Sequence, residues 1–203
     1  MEPFSESVMA YCSQRGIIDV GTDYHKELDQ FVNNIVREQK YPVGHPSYRD
    51  ENLIREHTAH GMGAECYLLL NSVFKQVSPA VDNAKSIPFG KRMQDLECEG
   101  RFIQVKSCPL NPQYGDPNWN ISEATLKSLQ HSSKYCDVLM VIGYEKLSYL
   151  KYLYTPLWMI DIKELMKNAG YFRKEVSSAG KTYYRVDSSA ARRRKILIDL
   201  CIL

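Results

Sequence analysis

The stretch Asp95-Leu96-Glu97-Cys98-Glu99-Gly100-Arg101-Phe102-Ile103-Gln104-Val105-Lys106 decides how this chain is read. Polar and apolar residues alternate on either side of Glu99-Gly100, the pattern of two strands, Met93 to Cys98 and Arg101 to Lys106, joined by a tight turn. Residues two apart on a strand share a face, so Gln104 and Lys106 point one way while Ile103 and Val105 point into the core. With a two-residue turn, Asp95 stands opposite Gln104. Asp95, Glu97, Gln104 and Lys106 then form one polar face, with opposed Cβ atoms ~5 Å apart. A three-residue turn with a bulge would shift the cross-strand pairing but keep Gln104 and Lys106 together.

Upstream of the hairpin the period is helical. Tyr24, Leu28, Phe31, Val32, Ile35 and Val36 recur at helical spacing, with Thr22 as N-cap and Tyr41-Pro42 as the stop. After a Pro/Gly/His segment (Pro42 to Pro46), a second helical region begins near Asp50. Gly61 and Gly63 are expected to interrupt it, and a stronger helix follows from Ala64 to about Val77. Downstream, a Pro-rich loop runs from Ser107 to Asn120. Asn120 with Glu123 reads as a capping box opening a helix to about Lys134. Asp137 to Tyr144 is a continuous apolar run, expected of a strand covered on both faces. A strand at Leu157 to Ile162, a helix at Lys163 to Asn168, a strand at Tyr183 to Val186 and an apolar run from Ile196 to Leu203 complete the chain. The order predicts an α/β fold with helices on both sides of a mixed sheet.

The 203 residues carry 26 Lys+Arg and 24 Asp+Glu, a formal charge of +2, too balanced for a disordered charged tail or a histone-like packager. No run of 18 apolar residues and no signal-peptide pattern occurs, so the expectation is a cytoplasmic protein with no membrane partner. Six cysteines lie far apart without a CxxC pair and read as reduced, buried small hydrophobes. The distribution of charge is less even than its total. Tyr171 to Lys195 holds eight Lys or Arg and two acids, a net of 8 − 2 = +6, which leaves 2 − 6 = −4 for the rest.

A carboxylate, a second oxygen ligand and a lysine on one patch suit metal-assisted phosphodiester hydrolysis. Mg²⁺ prefers oxygen ligands and keeps several waters, so one or two carboxylates and the substrate phosphate suffice. The metal acidifies a water while the ammonium stabilises developing charge or orients the nucleophile. The competing reading of such a patch is an ordinary solvated strand face.

At these residues the chain resembles the PD-(D/E)xK nuclease superfamily, which includes type II restriction endonucleases, Holliday junction resolvases and Mrr-type enzymes. The resemblance covers about residues 60 to 145. It implies Asp95 as the metal-binding acid, Gln104-Val105-Lys106 as the (D/E/Q)xK triplet with Gln104 as a second metal ligand and Lys106 catalytic, the Val105 carbonyl as a further metal ligand, and Glu65 of Gly63-Ala64-Glu65-Cys66-Tyr67 as the helix-borne acid. Met93-Gln94 precedes Asp95 where a proline is commonest, and Gln104 replaces the commoner Glu, as in the Mrr-type enzymes. Glu65 or Glu97 would restore the missing charge. The implied fold is a three-layer α/β/α restriction-endonuclease-like core, residues 61–145, within a single nuclease domain spanning 1–203. A helical N-terminal region (1–60) precedes the core and a C-terminal extension (146–203) follows it.

The implied activity is that of a Mg²⁺-dependent type II restriction endonuclease acting on double-stranded DNA as a homodimer, since a palindromic site requires two-fold symmetry. A structure-specific junction or repair nuclease, or a catalytically inactive nucleic-acid-binding domain of the same fold, are the alternatives. Candidate DNA contacts are Asn111, Gln113, Tyr114, Asn118, Trp119 and Asn120 of the loop, suited to base edges or stacking, and Arg192, Arg193 and Arg194, suited to phosphates. A structural loop cover and a solvated basic end are their respective rivals. His57-x-x-His60 lacks the HExxH pattern and is read as structural or phosphate-facing rather than as a metal site. The tyrosines between Tyr144 and Tyr154 are read as sheet packing in preference to DNA contact.

Overall fold

In a computed structural model, described for residues 1–39, 43, 49–77, 94–110, 120–176, 180 and 182–200, the hairpin forms around Glu99-Gly100. Strands β3 (Leu96–Cys98) and β4 (Arg101–Pro109) pair antiparallel with Cys98 opposite Arg101 and Leu96 opposite Ile103. Both turn residues have positive φ, 50° at Glu99 and 74° at Gly100, as a two-residue turn matched to strand twist requires. Glycine adopts this without strain. Glu99 does so with its carboxylate accepting a hydrogen bond from the Ser5 N–H (3.0 Å), while the Arg101 guanidinium lies 3.7 Å from the centre of the Phe4 ring. The start of the chain is thus docked onto the turn.

The elements preceding the hairpin are α1 (Glu6–Cys12), β1 (Gly16–Asp19), α2 (Val20–Asp23), α3 (His25–Glu38), α4 (Glu51–Leu69) and β2 (Lys75–Gln76). Those following it are β5 (Asn120–Ile121), α5 (Glu123–Ser132), β6 (Val138–Ser148), β7 (Lys151–Asp161), α6 (Ile162–Lys167), β8 (Phe172–Val176), β9 (Thr182–Val186), α7 (Ser188–Arg193) and β10 (Leu197–Asp199). The main sheet runs β1-β7-β6-β4-β3-β2, with β10 also on β7. Among the described pairings only β4 with β6 is parallel, and β5 and α5 lie on the crossover between them. The short strands β5-β9-β8 form a second, antiparallel sheet.

Strand β6 explains the layering. Val138 to Ile142 are all buried. Met140 and Ile142 join a core with α1, α3 and α4, whereas Leu139 and Val141 join one with α5, α6 and α7. A strand with apolar side chains on both faces must be covered twice, and this one is. The fold is therefore mixed α/β around a central mixed sheet. Among the described residues no helix is long and apolar enough to cross a membrane. The five described cysteines are free and buried, and burial pushes the Cys12, Cys66, Cys108 and Cys136 thiols up to about 12.

Several expected boundaries move. Gly61 and Gly63 do not break a helix, since α4 runs through both and ends at Leu69 rather than Val77, capped at its start by the Asp50 carboxylate on Asn52 N–H (2.8 Å). Thr22 is not an N-cap; Asp19 caps α2 by accepting from Thr22 N–H (3.1 Å). Asn120 belongs to β5, and Ser122 caps α5 by accepting from Thr125 N–H (3.1 Å). Strand β1, within the segment read as helical, and β8 were not anticipated, and the arginine run lies on α7 and its end. Met93 and the Pro42 to Pro46 segment apart from Val43 lie outside the described residues.

The two helix glycines differ in a testable way. A Cβ at Gly63 would collide with the Tyr154 hydroxyl, whereas nothing lies within 4 Å of one at Gly61. Gly63→Ala is expected to destabilise the protein by about 1–3 kcal/mol through overpacking. Gly61→Ala is expected to stabilise it by about 0.5–1 kcal/mol through helix propensity. Urea unfolding of the two variants checks both signs.

Candidate active site

The ladder between β3 and β4 ends where the candidate site begins. Asp95 donates its N–H to the Ile103 carbonyl (3.0 Å) and stands opposite Gln104 by extension of the register. Beyond it β3 no longer supplies a partner for the next inward-facing amide of β4, that of Val105. The Asp95 side chain takes that role, its Oδ2 accepting the Val105 N–H at 2.7 Å and a second bond from Gln104 Nε2. N–H and C=O of one strand residue point to the same side, so the Val105 carbonyl lies along the edge that carries Asp95.

Gln104 is only 5% exposed, so the competing reading of an ordinary solvated strand face does not hold at this residue. Helix α5 covers it. The Ser132 hydroxyl, wholly buried at the end of α5, donates to Gln104 Oε1 at 2.7 Å. The amide is thus bonded at both ends. Ser132 carried no distinguishing signal in the sequence, because a serine in the last turn of a helix acquires meaning only from what it faces.

Glu65 reaches the same place from α4. Its carboxyl is pushed upward, mainly by burial and next by the Asp95 charge, with Lys106 opposing. Asp95 is also raised by burial, against the lowering influence of Lys106, the Val105 N–H and the Gln104 amide. Asp95 and Lys106 are therefore close enough to influence the Glu65 carboxyl, and Lys106 the Asp95 carboxyl. Glu97 does not enter this balance; it lies across from Lys75 and Phe102. Among the described residues no group of three or more His, Cys, Asp or Glu is placed to hold a metal ion. The set is two carboxyls and a lysine.

The neighbouring histidines are built into the scaffold. His60 Nδ1 is 2.9 Å from Ser107 Oγ, the residue after Lys106, and its ring stacks on Tyr144 at 4.5 Å. Burial and then His57 push His60 down to about 4, so it is neutral at neutral pH. This contact pins the α4 that carries Glu65 to the strand that carries Lys106. Tyr152 and Tyr154 are core residues, as the packing reading expects.

Of the expected DNA contacts, Asn111, Gln113, Tyr114, Asn118 and Trp119 lie outside the described residues. Asn120 is exposed in β5 and its Oδ1 accepts from Arg185 Nε at 3.4 Å. Arg192 is bound to Asp199 through two nitrogens, joining α7 to β10, while Arg193 and Arg194 are exposed. No family model, curated protein or solved structure matches the chain.

The raised carboxyls make a prediction for the metal-free protein. A carboxyl raised by folding binds more protons folded than unfolded between its two values, so its contribution to stability is lost as pH rises from the ordinary 4.5 through the higher folded value. Urea unfolding in chelator is expected to show stability declining with pH over that interval, less steeply in Glu65→Gln. Equal slopes would remove Glu65 from the buried charge balance.

Proposed function

We propose that this chain is a Mg²⁺-dependent endonuclease that hydrolyses phosphodiester bonds in double-stranded DNA, with a restriction-endonuclease-like core. The observation that carries the reading is the charge balance around Asp95: two carboxyls, both raised by burial, face a single lysine. Burial disfavours both anions and Lys106 offsets that only in part, so a divalent cation bound here would favour their ionised forms. Oxygen donors alone suit Mg²⁺, which needs only one or two carboxylates beside water and phosphate.

Asp95, Glu65 and the Val105 carbonyl are the residues that would hold the ion. The chemistry supplied by bound Mg²⁺ is acidification of a water and polarisation of the phosphoryl oxygen. The chain's own residues contribute the rest. Asp95 is held in one orientation by the Val105 N–H and the Gln104 amide, and Lys106 presents an ammonium that stabilises charge developing on phosphate or orients the attacking water. Arg193 and Arg194, with Lys195, form an exposed cationic end suited to phosphate contact. The most specific form of the proposal is a type II restriction endonuclease acting as a homodimer on a palindromic site.

Purified protein is expected to cut duplex plasmid into discrete fragments with Mg²⁺ and to be inert in chelator. Lys106→Ala is expected to lower the rate by about 10²–10³-fold while retaining DNA binding in a gel shift. A smear would replace sequence-specific cleavage by general nuclease action. Failure to cut duplex or branched DNA with any divalent ion would contradict the nuclease reading.

A further inference from the structure

Gln104 occupies the position that the resemblance assigns to a metal ligand, yet its bonds point elsewhere. Its oxygen accepts the Ser132 hydroxyl at 2.7 Å, and its nitrogen donates to Asp95 Oδ2, which also accepts the Val105 N–H at 2.7 Å. Reversing the amide would set its oxygen against Oδ2, two acceptors face to face in a buried setting. The chain Ser132 Oγ–H to Gln104 to Asp95 is therefore directional. Asp95 Oδ1 makes no hydrogen bond among the described residues, so it is the oxygen left for a ligand.

We propose that Gln104 is a positioning residue rather than a metal ligand: clamped by Ser132, it fixes Asp95 so that Oδ1 meets the cation, and Glu65 supplies the second acid. This rests on the nuclease reading and deepens it. A carboxylate at position 104 is unnecessary on this arrangement, because one or two carboxylates suffice for Mg²⁺ beside water and phosphate and Asp95 and Glu65 supply them. Hydrogen-bond partners of a metal ligand set its orientation, and their removal commonly costs 10–100-fold in metal affinity or activity. Ser132 is one bond further out and acts through Gln104.

The test uses the full chain with Mn²⁺ as probe, measured by titration calorimetry at fixed pH, together with DNA cleavage kinetics. Ser132→Ala is expected to weaken Mn²⁺ binding by about 10-fold or more and to lower kcat with KM for DNA unchanged, since Ser132 touches no substrate. Gln104→Glu is expected not to tighten Mn²⁺ binding. Tighter binding by Gln104→Glu, or wild-type affinity in Ser132→Ala, would overturn the proposal and return Gln104 to the ligand set. Should Ser132→Ala not fold, Gln104→Glu decides alone. A wild-type protein that cuts DNA but gives either overturning result sinks only this inference; one that neither binds Mn²⁺ nor cuts sinks the nuclease reading with it.

Discussion

The bond from the Val105 N–H to the Asp95 carboxylate is the constraint around which the rest of the candidate site is organised. It arises because β3, counted back from the turn, ends at Leu96, one residue short of Asp95, leaving the Val105 amide of β4 facing that edge without a strand partner. A buried amide without an acceptor costs about 1–3 kcal/mol, and a carboxylate side chain meets the need. The same bond turns a strand-end residue into a fixed anionic group. Gln104 and Ser132 then extend the restraint to α5, so the position of Asp95 is set by two elements, β4 directly and α5 through Gln104.

That restraint has an electrostatic consequence. Holding Asp95 inside the fold raises its carboxyl, and placing Glu65 beside it raises a second one, with Lys106 as the compensating charge. Structural ion pairs usually lower the carboxyl of each partner. Here burial outweighs pairing for both acids, and pKa shifts of that kind concentrate at functional sites. The proposed role of Mg²⁺ is to favour the ionised forms of these two buried acids.

The hairpin and the buried strand were legible in the sequence because both are local patterns. Alternation around Glu99-Gly100 gives the register once the turn is taken as two residues, and the apolar run from Val138 to Ile142 is the pattern expected of a strand covered on two sides. What could not be read depends on partners distant in the chain. Gly63 lies mid-helix because the Tyr154 hydroxyl occupies the space a Cβ would need, a fact about β7 and not about α4. Ser122 takes the capping role expected of Asn120 because β5 ends just before it, whereas Thr22 lies inside α2, which Asp19 caps at the end of β1. The alternation places Gln104 on the polar face of the hairpin, and α5 buries it there. In the fold Asp95 lies within electrostatic reach of Glu65, and the clamp on Asp95 depends on α5, which no local pattern places there.

The basic C-terminal part also divides once its partners are visible. Arg173, Arg185 and Arg192 are ion-paired with Asp187, Glu175 and Asp199, so much of the +6 read from the sequence maintains the small sheet and α7. The central proposal, that Glu65 and Asp95 share one divalent cation, is tested most directly by following the Glu65 carboxyl resonance by NMR across pH with and without Mg²⁺. The expected result is a titration above the ordinary carboxyl value in the metal-free protein that moves sharply downward when Mg²⁺ is added. A Glu65 titration that is ordinary and indifferent to Mg²⁺ would contradict it.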